Sequence, residues 1–217
     1  MFQRKSFCAL VLISTYIVSS ALSAQSIETA ARHAVLYDLT TDTILLNKAS
    51  DVPMPPASMS KLMTVYMVFE RLKAGRLSLD DKFVVSRKAW RKGGSKMFVM
   101  VKSRVAVKDL LRGIIIQSGN DACIVIAEGI SGSEDAFAEE MTLKAKEIGL
   151  TNSSFKNSTG WPADGHYMSA RDIATLSKKL ILDFPEYYKL FSETEFTFGG
   201  IKQGNRNPLL YKNFGAD

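Results

Sequence analysis

Ser58 and Lys61 stand three residues apart at the head of the stretch Pro55-Pro56-Ala57-Ser58-Met59-Ser60-Lys61-Leu62-Met63-Thr64-Val65-Tyr66-Met67-Val68-Phe69. Those two residue types can make and break an acyl bond. A serine hydroxyl is a poor nucleophile until a neighbouring base takes its proton. Lysine serves as that base only where burial disfavours its ammonium form and lowers its pKa. Residues three apart share a helix face, so the two side chains can touch. The prolines suit a helix start, and the run after them is apolar on all sides, as in a helix inside a domain. The positive end of such a helix also favours a developing alkoxide. The spacing therefore predicts Ser58 as nucleophile and Lys61 as base, with Met59, Leu62, Met63 and Val65 as the apolar shell that buries the amine. The helix should stop near Gly75, with Arg71 and Lys73 in its last turn. Alone, S-x-x-K also marks many solvated helix starts, so a second signal is needed.

Ser118-Gly119-Asn120 supplies it, sixty residues downstream of Ser58. Serine, glycine and asparagine make a tight turn. The turn falls between a predicted helix over Val107–Gln117, with Leu110, Leu111, Ile114 and Ile115 as its stripe, and an apolar helix over Ala122–Glu128. A loop pinned between two buried helices holds its side chains rigidly. The Ser118 hydroxyl could relay a proton, and the Asn120 carboxamide can both donate and accept toward a peptide-like group. By itself the stretch would pass for an ordinary turn with an N-cap.

The remaining elements must bring these two stretches together. Ala34–Leu39 and Ile44–Asn47 read as a hairpin of apolar strands, covered on both faces. Phe83–Val85 and Met97–Val101 read as short strands. Ser133-Glu134-Asp135 opens a helix closed by Gly149, and Asn152–Trp161 is a polar loop. Ser169-Ala170-Arg171-Asp172 caps a helix over Ala170–Leu182, Pro185 starts a short one, and Glu195–Phe198 with Gly199-Gly200 suggests a strand and turn. Asn205-Arg206-Asn207-Pro208 reads as a loop.

The only histidines are His33 and His166, so no metal-ligand spacing exists and no metal or cofactor is expected. His166 is assigned no role. Cys123 reads as a small buried hydrophobe.

Arg4 and Lys5, the apolar run Phe7–Val18 and the small residues Ser19, Ser20, Ala21, Ser23 and Ala24 form a secretory signal pattern over residues 1–24, with cleavage after Ser23 or Ala24. Its removal leaves Cys123 alone, so an internal disulfide is excluded and the core must hold the fold. About 190 remaining residues suffice for one domain. Losing Arg4 and Lys5 takes the formal charge from +6 to +4. That basicity is too mild and too dispersed to argue for nucleic acid.

Together, S-x-x-K at a buried helix start and S-x-N between helices form the first two parts of the penicillin-recognising signature. The stretches PPASMSKLMT, LLRGIIIQSGNDAC, GSEDAFAEEM and NSTGWP, with Ser169-Ala170-Arg171-Asp172, resemble the D-alanyl-D-alanine carboxypeptidases, the low-molecular-mass penicillin-binding proteins, from about Ala31 onward. The resemblance implies an α/β (α+β) fold of the β-lactamase/transpeptidase type, an antiparallel sheet flanked by helices. It implies an exported enzyme of the periplasm or the outer face of the cytoplasmic membrane that removes the terminal D-alanine from peptidoglycan stem peptides. Ser58 would be acylated, Lys61 its base, Ser118 a proton relay and Asn120 the substrate-amide ligand, with β-lactams as inhibitors. The third family motif, K-T-G, is not found downstream of Asn120, and the resemblance places it past Asp217. Residues 25–217 would then be the N-terminal portion of the catalytic domain, lacking the last strands of the sheet and a C-terminal membrane anchor. Expressed alone, that portion is expected to be poorly soluble and inactive. Two other readings stand beside this one. A class A serine β-lactamase carries a deacylating glutamate in the loop after the second motif, whereas Thr151–Trp161 holds no carboxylate. A non-catalytic module that binds peptidoglycan or β-lactams would label without turnover.

Overall fold

The computed structural model describes residues 27–212 and 215–216; the signal pattern over 1–24 lies outside them. The fold is organised by α1, Lys61–Lys73, which the 3₁₀ turn Ala57–Ser60 enters directly. Met63, Val65, Tyr66, Met67, Val68, Phe69 and Leu72 of α1 are all buried. Phe184 closes on α1 from one side, its ring edge-on to Tyr66 at 5.1 Å and to Phe69 at 5.8 Å, the geometry aromatic quadrupoles favour. Gly75, at φ 66°, ends the helix where only a residue without a Cβ is free of strain.

Around α1 pack α3 (Val107–Ile115), α4 (Asn120–Ser131), α5 (Glu134–Glu147) and α6 (Ala170–Asp183). The hydroxyls of Ser133 and Ser169 accept the N–H groups of Ala136 and Asp172 and so cap α5 and α6. Two short helices, α2 (Arg87–Arg91) and α7 (Pro185–Tyr188), pack against α4 and α6 respectively. The strands form three antiparallel pairs among the described residues: β1 (Ala34–Asp38) with β2 (Thr43–Lys48), β3 (Lys82–Val84) with β4 (Arg104–Ala106), and β5 (Glu195–Phe198) with β6 (Ile201–Gly204). The mixed class of helices and antiparallel strands stands, in the form of separate ribbons.

Two expectations need correction. The β1–β2 hairpin is not covered on both faces: Leu36, Ile44 and Leu45 are exposed, and the main helix packed against it, α6, meets it chiefly through β1. The segment 97–101 is not a strand either. The amide N–H groups of Met97, Phe98 and Val99 all donate to the carboxylate of Asp121, at 3.0, 2.9 and 3.2 Å. A side chain has taken the donors a neighbouring strand would need. Asp121 is 1% exposed and also accepts from the Ala122 N–H. Asp121→Asn places an N–H₂ among these donors, so chemical denaturation should show a loss of roughly 2–4 kcal/mol, since bonds to a charged acceptor contribute about 1.5–3 kcal/mol each. A loss under ~1 kcal/mol would mean that the segment is held by packing alone.

Candidate active site

Ser58 sits in the 3₁₀ turn and Lys61 is the first residue of α1. In a 3₁₀ turn residues three apart eclipse one another. Lys61 Nζ accordingly lies 2.9 Å from Ser58 Oγ. Ser58 is exposed, whereas Lys61 is 5% exposed. The nucleophile thus faces solvent and its partner amine does not. Met59, assigned to the shell around the amine, points outward at 43% exposure, and Leu62 is only half-buried. The other cover comes from across the chain: Lys61 Nζ donates to the Thr159 carbonyl at 2.7 Å.

Burial pushes the Lys61 ammonium below its ordinary value. A Cys123 thiolate would oppose this, but burial pushes that thiol up to about 12, so it carries no charge at neutral pH. The positive charges of Arg206 and Lys92 lower Lys61 further. An ammonium donates to both Ser58 and Thr159. A neutral amine keeps its bond to Thr159 and turns its lone pair to the Ser58 O–H. Burial and the neighbouring cations thus both favour the neutral amine of Lys61.

Ser118 follows α3 with φ 58°, a left-handed conformation that strains any residue with a Cβ by roughly 1–2 kcal/mol. Its N–H donates to Ile114 O, and the Gly119 N–H donates to Gly113 O. The Ser118 hydroxyl oxygen is buried and has no hydrogen-bond partner among the described residues. A left-handed backbone and a buried, unpartnered hydroxyl at one serine mark Ser118 as a candidate functional group. Ser58, Lys61 and Ser118 border one cavity of about 120 Å³, whose other walls include Leu62, Val65, Ile114 and Phe191. A larger cavity of about 360 Å³ lies between the β1–β2 hairpin and α6, but it is lined by no serine. Chemistry, not volume, selects the site.

Asn120 is the first residue of α4 and does not border the 120 Å³ cavity. Its carboxamide Nδ2 donates to Gly93 O at 2.9 Å and its N–H to Ser95 O at 2.8 Å. Its side-chain oxygen is the part left for other partners. A Cβ on Gly94 would stand 2.7 Å from Asn120 Nδ2, so this glycine admits the carboxamide.

Several further groups build the site. The loop 157–161 wraps the Asn157 carboxamide, whose Oδ1 accepts from Thr159, Gly160 and Trp161 N–H groups while Nδ2 donates to Trp161 O. Ser158 anchors that loop to the buried Glu134 carboxylate, which also holds Lys88. Arg206 reaches Ser95 Oγ at 2.7 Å and donates its backbone N–H to Ile116 O. The NSTGWP string marked the first of these groups; nothing in the loop composition marked Arg206. His166, assigned no role, is 7% exposed and bonded to Ser60 Oγ.

The sequence profile of the D-alanyl-D-alanine carboxypeptidase family, peptidase S11, matches residues 19–216. D-alanyl-D-alanine carboxypeptidase DacC of Escherichia coli K12 is 39% identical over 214 residues, covering 96% of this chain and 53% of the relative. Penicillin binding protein 5 of Haemophilus influenzae superposes with a TM-score of 0.82 at 40% identity, over 85% of this chain and 55% of that one. Penicillin-Binding Protein D2 of Listeria monocytogenes, solved with ampicillin bound, superposes with a TM-score of 0.73 at 29% identity, over 84% and 74% of the two chains. The chain spans about half the length of the curated relatives it matches.

Proposed function

Because the chain belongs to the D-alanyl-D-alanine carboxypeptidase family, we propose that it removes the terminal D-alanine from peptidoglycan stem peptides through an acyl-enzyme on Ser58. The observation that carries this reading is the exposed Ser58 hydroxyl 2.9 Å from a buried amine held by the Thr159 carbonyl. Lys61 takes the Ser58 proton as Oγ attacks the carbonyl of the penultimate residue. By the family resemblance the Ser58 N–H would form half of the oxyanion hole, where one donor typically contributes about 3 kcal/mol. Ser118 passes a proton to the departing amine, and Asn120 orients the substrate amide with its free carboxamide oxygen. Water then hydrolyses the ester. β-Lactams acylate the same serine and leave slowly, as the ampicillin-bound relative suggests by analogy.

Such substrates place the protein outside the cytoplasm. Among the described residues no helix is long and apolar enough to cross a membrane. The loop that meets Lys61 presents a backbone carbonyl and, over Thr151–Trp161, no carboxylate, which favours the carboxypeptidase over the class A β-lactamase.

The full-length protein incubated with a labelled penicillin should gain one adduct, mapped by peptide mass spectrometry to Ser58. A shift on Ser118 or Ser60 would remove the assignment, and release of D-alanine from a stem-peptide mimic is the matching turnover assay.

A further inference from the structure

His166 lies outside the proposed chemistry, yet it bonds to both of the segments that set it. Its Nε2 is 2.8 Å from Ser60 Oγ, in the turn that carries Ser58, and both residues are buried. Its Nδ1 is 3.2 Å from the backbone N of Lys156, in the loop that carries Thr159. The imidazole stands edge-on to Phe155 of the same loop, with centroids 5.7 Å apart. The backbone N–H of Lys156 can only donate, so Nδ1 must be a bare acceptor. The ring is therefore neutral, its proton is on Nε2, and it donates to Ser60.

We propose that His166, as the neutral Nε2–H tautomer, is a positioning residue for acylation: it ties the turn holding Ser58 to the loop whose Thr159 carbonyl holds Lys61. The inference rests on the acyl-enzyme reading above. A proton on Nδ1 would face the Lys156 N–H donor head-on and open the cross-link. The charged group acting on the ring is Lys156, on the loop; from the turn it meets the uncharged Ser60, and from the loop the uncharged Phe155. Burial first, and the Lys156 charge second, push His166 below its ordinary value, so the link holds through neutral pH and opens only in acid.

The test is acylation of the full-length protein by a fluorescent penicillin across pH, with His166→Ala and His166→Gln beside the wild type. His166→Ala should slow acylation at saturation by about tenfold or more with the apparent Kd within about twofold, since displacement of a reacting group by ~1 Å can lose about 100-fold. A glutamine amide can donate to Ser60 and accept from Lys156, so His166→Gln should recover to within about threefold of wild type. In acid the log of the wild-type rate should fall with a slope that steepens from one toward two as the imidazole protonates, whereas the Gln variant should keep a slope near one. Nitrogen-15 spectra of the wild type should show the Nε2–H tautomer. A wild type that takes no label overturns the carboxypeptidase reading itself. A labelled wild type with an unchanged Ala variant, or an Nδ1–H tautomer, overturns the role of His166 alone. If His166→Ala fails to fold, the Gln profile and the tautomer decide.

Discussion

Lys61→Arg should abolish acylation by penicillin, with the rate falling by about 10²–10⁴-fold, the range that general base catalysis supplies. The substitution keeps a cation of similar length on the same turn, so a purely electrostatic role would survive it. A base does not survive it, because the guanidinium stays protonated at any working pH. The wild-type site shows why lysine can lose its proton here: burial is the main cause that lowers its pKa, and the charges of Arg206 and Lys92 add to it. The sign follows. The reactive form is the neutral amine, so acylation should rise with pH up to a pKa below 10.5, the ordinary lysine value. Stability should follow the same direction, because a folded state that holds this proton less tightly than the unfolded chain gains as pH rises toward 10.5. Acylation rates from stopped-flow mixing, in wild type and variant, check the point. Acylation retained in Lys61→Arg would leave Lys61 a packing or charge role only.

How much of this was legible beforehand depends on the range of the interactions involved. The pairing of Ser58 with Lys61 is local, set by three residues of spacing, and the helix that follows declares itself by its apolar run. The tight turn at Ser118 is equally local, and the structure adds its left-handed backbone and its place beside Ser58 and Lys61. What stayed hidden was set by contacts between distant residues. The apolar residues at 97–101 have strand-like composition, but a carboxylate more than twenty positions away takes three of their N–H groups. No local pattern of residues reports such a capture. His166 read as an isolated histidine because its partner, Ser60, lies 106 residues earlier. The shell around Lys61 was assigned to its immediate neighbours, and Met59 proved to face solvent, because the cover comes from the loop at Thr159. The β1–β2 strands were apolar enough to suggest cover on both sides, whereas only one face meets α6. Composition reports which surfaces are able to be buried, not which partner is there to bury them.

That same loop gives the second large effect. It runs antiparallel to the head of α1 in a fixed register: the Thr64 hydroxyl donates to Ser158 O at 2.7 Å, Lys61 Nζ donates to Thr159 O at 2.7 Å, and Gly160 lies against Ala57. A Cβ built on Gly160 would fall 1.8 Å from the Ala57 carbonyl oxygen, and the residue's φ is +79°. Two separate penalties therefore meet at one position. The left-handed backbone strains an L side chain by roughly 1–2 kcal/mol, and the overlap is with backbone, which cannot rotate aside. Gly160→Ala must push the loop off the turn by more than an ångström, carrying the Thr159 carbonyl away from Lys61 and straining Ala57, already at φ +47° next to the nucleophile. We expect a loss of roughly 2–4 kcal/mol in unfolding free energy and about 100-fold in acylation rate. Gly200→Ala separates the two penalties. Gly200 has φ +80° with nothing within 4 Å of its built Cβ, so it carries the backbone strain without the collision. Its expected cost is about 1 kcal/mol with acylation unchanged. If Gly160→Ala proved no worse than Gly200→Ala in either measurement, the contact between this loop and the nucleophile turn would not be what sets the Ser58–Lys61 geometry.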